Sequence, residues 1–272
     1  MSFKTLLQLA VMAKTKSSKM KKCKLCKQEK ELINKSHIIP EFFYREAGVY
    51  NENHYMHKID TQKYLSTGKV SYVPTGEYES EILCKDCDNN RIGELETYGR
   101  KVLFGGLSQK KDIKARNYRN PSDGFQYTVF ENVDYKQFKL FLLSLLWRAA
   151  ISKRKTFKEA QISTENKEKL RKMIFTRDAG EINNFPIVIL SYLRDNTALS
   201  DLIAQPIKSS TIDNDLITMM LAGFVFVFNI TNNYKKISEI KDITITPEGK
   251  FTILHIPKGE ILNFILKYAN IK

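Results

Sequence analysis

The sequence predicts an α+β protein. A small four-cysteine module over residues 20–103 precedes an α+β domain with an antiparallel sheet over residues 104–272. Three observations carry this. All four cysteines fall in two Cys-x-x-Cys pairs, Cys23/Cys26 and Cys84/Cys87. A strongly apolar stretch, Leu140 to Ile151, reads as a buried helix. Beyond it the apolar period changes to two, with turn residues between the runs.

Each element follows from local chemistry. Cys87 to Leu103 reads as a helix: Ile92, Leu95 and Val102 share a face, Asp86 is placed to cap it, and Gly105-Gly106 ends it. Tyr127 to Phe130 reads as a strand. Asp134 with Gln137 forms a capping box that opens the apolar helix to Ser152, with Trp147 inside. Ser163 to Thr176 is a further helix. Strands are expected at Ile187–Tyr192, Ile217–Leu221, Phe224–Ile230, Ile243–Thr246 and Phe251–Ile256. Ala222-Gly223 and Glu248-Gly249 supply hairpin turns, and a helix from Gly259 to Tyr268 closes the chain. The polar segment 48–78 between the cysteine pairs has the length of a functional loop.

The charge is lopsided: 44 Lys and Arg face 30 Asp and Glu, a formal +14. Such an excess favours a polyanionic partner, nucleic acid before acidic membrane, although a solvated basic surface gives the same count. Eight lysines lie between residues 14 and 30 against the single acid Glu29, so basic charge surrounds the first cysteine pair. Lys21, Lys22 and Lys24 there, and Lys110, Lys111, Lys114 and Arg116 further on, are candidate backbone contacts to nucleic acid. Tyr118 and Phe125 beside the second cluster suit base stacking or core packing equally. No stretch reaches the roughly 18–20 apolar residues of a membrane span. Met1 to Ala13 is a poor match to a secretory signal, its apolar run broken by Gln8. A short amphipathic helix, or a start at Met20, is expected instead. No phosphate-binding loop is visible, so no use of ATP is expected.

Two Cys-x-x-Cys turns present four thiolates, the donor set of a structural zinc site with no open position. A cytoplasmic, reducing compartment favours this over two disulfides, while a redox pair remains the alternative. Two histidines in the polar loop, His54 and His57, are placed either to bind a metal or simply to face solvent. Between the pairs stands Ser36-His37-Ile38-Ile39-Pro40-Glu41-Phe42, and the second pair sits in Ile82-Leu83-Cys84-Lys85-Asp86-Cys87-Asp88.

That pattern resembles the HNH endonuclease superfamily, the ββα-metal nucleases, in its four-cysteine form, over roughly residues 20 to 100. The resemblance implies a treble-clef or ββα-metal zinc module and hydrolysis of DNA phosphodiester bonds. It implies that His37 is the general base, and that Asp88 holds a catalytic Mg²⁺ or Mn²⁺. Glu79 falls where relatives carry an Asn that orients the histidine. Ser36 stands where many relatives have an acidic metal ligand; Glu81 and Asn89 are substitutes within reach in sequence. HNH modules are frequent in restriction and anti-phage systems, which adds the expectation of a defence effector with a regulatory protein partner. The rival expectation is a zinc-stabilised nucleic-acid-binding module without catalysis. Arg148, inside the apolar helix, is expected in a buried ion pair or on a phosphate, and Glu96 and Tyr98 are expected to tie the module to the rest.

Overall fold

The computed structural model describes residues 20–58, 67–105, 113–195, 202–211, 214–231, 234, 236–261 and 263–264. The stretch before Met20, Lys110, Lys111 and most of the expected closing helix lie outside the described residues; Ile261, Asn263 and Phe264 are helical.

The N-terminal module is built from short pieces. Strands β1 (Lys21–Lys22) and β2 (Glu29–Lys30) form a hairpin around the first cysteine pair. Strand β3 (Ser36–His37) leads into helix α1 (Glu41–Glu46), which starts directly after Pro40. Strands β4 (Met56–Lys58) and β5 (Ser71–Val73) pair with each other, and β6 (Tyr78–Glu79) returns beside β3. A π-helical stretch, Asp86–Ile92, runs straight into helix α2 (Gly93–Phe104). The expected cap at Asp86 is not made. Its carboxylate accepts from the Asn90 amide 3.0 Å away and faces Arg91 at 3.6 Å.

Strands β7 (Lys114–Arg119) and β8 (Gln126–Glu131) precede helix α3 (Tyr135–Ile151). The Asp134 side chain accepts from the Gln137 backbone N–H at 2.9 Å and from its side-chain amide at 2.8 Å, so the capping box forms as expected. Helix α4 (Thr164–Thr176) is capped by Ser163. Strands β9 (Ile187–Ser191), β10 (Ile207–Ser210), β11 (Asp215–Leu221) and β12 (Phe224–Asn229), a single turn α5 (Ile237–Ile240) and β13 (Phe251–His255) complete the fold. One seven-stranded sheet runs β10-β11-β12-β9-β13-β8-β7, antiparallel except for β13 on β9. Ala222 and Gly223, with φ of 50° and 83°, make the tight turn between β11 and β12.

The expected strand at Ile243–Thr246 is a correction: only Thr244 bridges, to Val188. β13 takes residues 189–191 on that side of β9, so only Ile187 and Val188 are open there and the contact stops at a single bridge. Thr244 instead uses its hydroxyl, donating to the Ile187 carbonyl and accepting from its N–H.

The helices cover one face of the sheet. Along β12, Phe224, Phe226 and Phe228 alternate with Val225 and Val227. Phe226 meets Phe43 of α1, Phe224 meets Phe104 of α2, and Phe251 meets Phe138 of α3. Val225 faces the other way, into a smaller cluster with Tyr192, Met220, Ile256 and Ile261. The main cluster runs unbroken from Cys23, Leu25 and Ile38 to Phe226 and Ile253. The segment 20–103 and the remainder therefore share one core. At Gly99 the helices α2 and α3 touch so closely that a Cβ there would lie 2.3 Å from the Phe141 ring.

Helix α3 is buried all round, and it buries Lys139. The Lys139 ammonium donates to the Glu181 carbonyl at 2.6 Å and to the Tyr135 hydroxyl at 2.9 Å. Burial, opposed by Glu181 and reinforced by Lys169, pulls its pKa down to about 7 from 10.5. The unfolded chain then holds this proton above pH 7 more tightly than the folded one. Stability should rise between about pH 7 and pH 10, by an amount on the order of a few kcal/mol. Urea denaturation across that range should show the rise in the wild type and its loss in Lys139→Met. Equal slopes in the two proteins would rule it out.

Candidate metal centre and active site

The first cysteine turn is shaped by its backbone. The Cys23 N–H donates to Gln28 O and the Lys27 N–H to Cys23 O, each at 2.9 Å, with Lys27 in the left-handed region at φ 64°. The second pair is brought over it by backbone bonds from Lys24 N–H to Ile82 O and from Ile33 N–H to Leu83 O. The Cys84 N–H then points at the Cys23 sulfur, 3.4 Å away. All four sulfurs lie within 4.8 Å of one another, and three of the four residues are buried. Sulfurs around a tetrahedral zinc stand about 3.8 Å apart, so the set fits a metal ion.

The thiol chemistry points the same way. Hydrogen bonding from Cys87 and from nearby backbone N–H groups lowers the Cys23 pKa to about 4. Cys87 is pushed up by sharing its proton with Cys23 and by burial, and Cys84 is pushed up by burial. Four crowded sulfurs thus share little negative charge on their own; a bound cation is what lets all four ionise. Among the described residues no other group of three or more His, Cys, Asp or Glu side chains converges as a metal site.

Next to this centre, β3 and β6 pair Ser36 with Glu79 and His37 with Tyr78. The Ser36 hydroxyl, fully buried, donates to Asp88 Oδ1 at 2.5 Å. The π-helical turn carries both Cys87 and Asp88, so one element serves the metal and this contact. His37 is half-buried. Its Nε2 lies 3.3 Å from Glu41 Oε2 and 3.4 Å from Thr75 Oγ1. The Tyr50 hydroxyl donates to the other Glu41 oxygen at 2.6 Å. Burial holds the His37 pKa below 6.5; Glu41 and Asp88 oppose this, while Lys35 and Arg148 add to it. The ring is therefore neutral near pH 7, the state a general base needs.

Arg148 ties this corner together. Its guanidinium donates to His37 O at 2.8 Å and to Glu96 at 2.6 Å, so it sits in the buried ion pair expected for it. Tyr98 links the same helix to the cap of α3 through the Asp134 N–H at 2.6 Å.

Glu79 requires a correction. Its carboxylate does not orient His37. It accepts from the Ser152 hydroxyl at 2.7 Å and the Lys153 N–H at 3.0 Å, at the residues where the chain leaves α3. The register sets Glu79 opposite Ser36, and Glu41 takes the place beside the histidine. Glu41 and Thr75 were not singled out from sequence. The usable signal for Glu41 was its spacing of four from His37 across Pro40, where a helix begins. Glu81 pairs with Lys21 and Asn89 is exposed. His54 stacks on Tyr50 and His57 packs against Tyr72, so neither joins a metal cluster.

The basic candidates divide. Lys24 donates to Ile151 O at 3.0 Å, at the C-terminal end of α3, and Lys22 is exposed. Lys114 and Arg116 sit on the exposed edge strand β7, where Lys114 faces Glu131 near the start of α3 and Arg116 pairs with Glu131 at 3.5 Å. A helix of this length spans about 25 Å, so the two basic groups lie at opposite ends of it. Tyr118 stacks on Tyr127 rather than in the core. No described helix is long and apolar enough to cross a membrane.

No family model, curated protein or solved structure matches this chain. The functional reading therefore stands on the residues themselves.

Proposed function

We propose that the protein is a metal-dependent endonuclease of the HNH type, acting on DNA, with one structural zinc in the four-cysteine centre. The observation that carries this reading is a single juxtaposition. A neutral histidine backed by a carboxylate, His37 with Glu41, lies on the same short strand as Ser36, which holds Asp88 beside the cysteine centre.

In this reading Glu41 favours the tautomer with the proton on His37 Nε2, leaving Nδ1 to accept a proton from water. The resulting hydroxide attacks phosphorus, the bond to the leaving oxygen breaks, and that oxygen takes a proton from solvent while the His37 imidazolium returns its own to solvent. Asp88, whose Oδ1 accepts from Ser36, would hold a divalent cation through its other carboxylate oxygen, and such a cation would supply charge neutralisation at the phosphate. The Arg148 contact to the His37 carbonyl fixes the strand that carries the base. The chain's excess of basic charge suits a polyanionic substrate.

One observation favours a second reading, a binding module without catalysis. Ser36 is a poor metal ligand, and its hydroxyl is already spent on Asp88. Nicking of supercoiled plasmid with Mg²⁺ or Mn²⁺ separates the two. Wild type should nick. His37→Ala should lose about 100-fold or more, as expected for loss of a general base. Asp88→Ala should lose activity that added metal partly restores. DNA binding without nicking in all three proteins would select the second reading.

A further inference from the structure

A second feature lies on the other side of Glu79. The first cysteine turn, the end of α3 and the start of α4 enclose an open cleft of about 480 Å³. Trp147, Ala150 and Ile151 give it an apolar floor, and Lys24, Lys27, Lys153 and Lys167 stand around it. Lys27 reaches Glu168 only at 3.8 Å. Among the described residues Lys24, Lys153 and Lys167 have no carboxylate partner within ion-pair distance; Lys24 and Lys167 instead donate to Ile151 O and Gln161 Oε1. Glu168 is held in a two-pronged contact by Arg171, and Glu79, the other acid nearby, accepts from the Ser152 hydroxyl and the Lys153 N–H. Burial pulls the Lys24 pKa down, and Lys153, Lys167 and Lys27 pull it further, against Glu79 alone.

Four ammonium groups gathered on one concave surface repel one another unless an anion joins them. Thr164, Lys167, Glu168 and Arg171, three and four residues apart, turn one flank of α4 along the cleft. The cleft adjoins the strand pair that carries His37. Ser152 and Lys153 in its wall hold Glu79, the strand partner of Ser36.

We infer that this cleft is a phosphate-binding site, and that its occupant is a backbone phosphate of the nucleic-acid strand presented to His37. The occupant rests on the nuclease reading above; the phosphate chemistry does not.

The test uses the full chain and the double variant Lys153→Ala/Lys167→Ala. Lys153 is exposed and the hydrogen bond of Lys167 is to Gln161, so the fold should survive; circular dichroism and metal content check this. Lys208→Ala, on exposed β10, is the control. Binding of a short labelled duplex, without added divalent metal, is followed by fluorescence anisotropy over a salt series. Tripolyphosphate binding is followed by calorimetry. The double variant should bind duplex roughly tenfold more weakly and with a salt slope smaller by between about one and two, while the control matches wild type. Unchanged affinity and slope in the double variant overturn the cleft and leave the nuclease reading intact. A wild type that ignores duplex but binds tripolyphosphate, with that binding lost in the double variant, overturns the nucleic-acid occupant and keeps the phosphate site. A wild type that binds neither overturns both.

Discussion

Chelation of the metal from the four-cysteine centre is expected to unfold the whole chain, not the small module alone. Structural zinc sites contribute apparent binding free energies of about 10–16 kcal/mol at neutral pH. That rivals the entire stability of an ordinary domain, about 5–15 kcal/mol. Here the ligands are themselves part of the core: Cys23, Cys84 and Cys87 are buried in the same continuous cluster as Phe226 and Ile253. Cys87→Ser should act like chelation, since one thiolate is exchanged for a hydroxyl that binds zinc poorly and sits where a charge is required. The measurements are one zinc per chain by elemental analysis, and a thermal melt with and without a strong chelator. A wild type that carries no zinc and melts at the same temperature in chelator would sink the metal centre.

Arg148→Met is the second large effect. Arg148 is 1% exposed, and its guanidinium serves Glu96 and the His37 carbonyl together. Removing it strands a carboxylate whose pKa burial already raises, and leaves a strand carbonyl without its donor. Breaking a buried pair from one side costs about 3–5 kcal/mol. Adding Glu96→Gln should recover part of that loss, because the stranded charge goes with it. Urea denaturation of the two single variants and the double variant reads this directly. Simple additivity of the two costs would show that Arg148 and Glu96 do not interact. Nicking should also fall in Arg148→Met under conditions where it is still folded, since the strand carrying His37 loses its anchor.

Much of this was legible in the sequence because the signals were local. Two cysteine pairs at fixed spacing, a capping box at Asp134 and Gln137, and the Phe-Val alternation of β12 each encode their own geometry. What escaped depends on partners distant in the chain. Strand β7 is exposed and almost wholly polar, so no apolar period marks it; its pairing with β8 alone makes it a strand. Ile243–Thr246 has strand composition, yet β13 leaves it only Ile187 and Val188 of β9 to pair with. Spacing alone does not exclude Glu79 as the partner of His37; the β3–β6 register does, by setting it opposite Ser36, and Glu41, four residues on from the histidine, takes the place. The basic cleft joins residues 24, 153 and 167, a grouping that no spacing rule anticipates.

The π-helical stretch at Asp86–Ile92 has a consequence for chain length. Each i to i+5 bond holds one residue more than an α-helical turn does. Asn89 and Asn90 within it are exposed and polar, the kind of positions where a chain ordinarily accepts an insertion or deletion. Here a further insertion should not be accepted: the wide turn already absorbs one extra residue, and another would rotate the two ends of the stretch against each other by about 100°, whereas losing one would only close it to an α-helical turn. Cys84 just before it and Cys87 in its first turn must face Cys23 and Cys26; downstream, Gly99 must face Phe141 of α3. The turn thus acts as a phase setter: it lets one continuous helix satisfy a metal and a core that point in different directions.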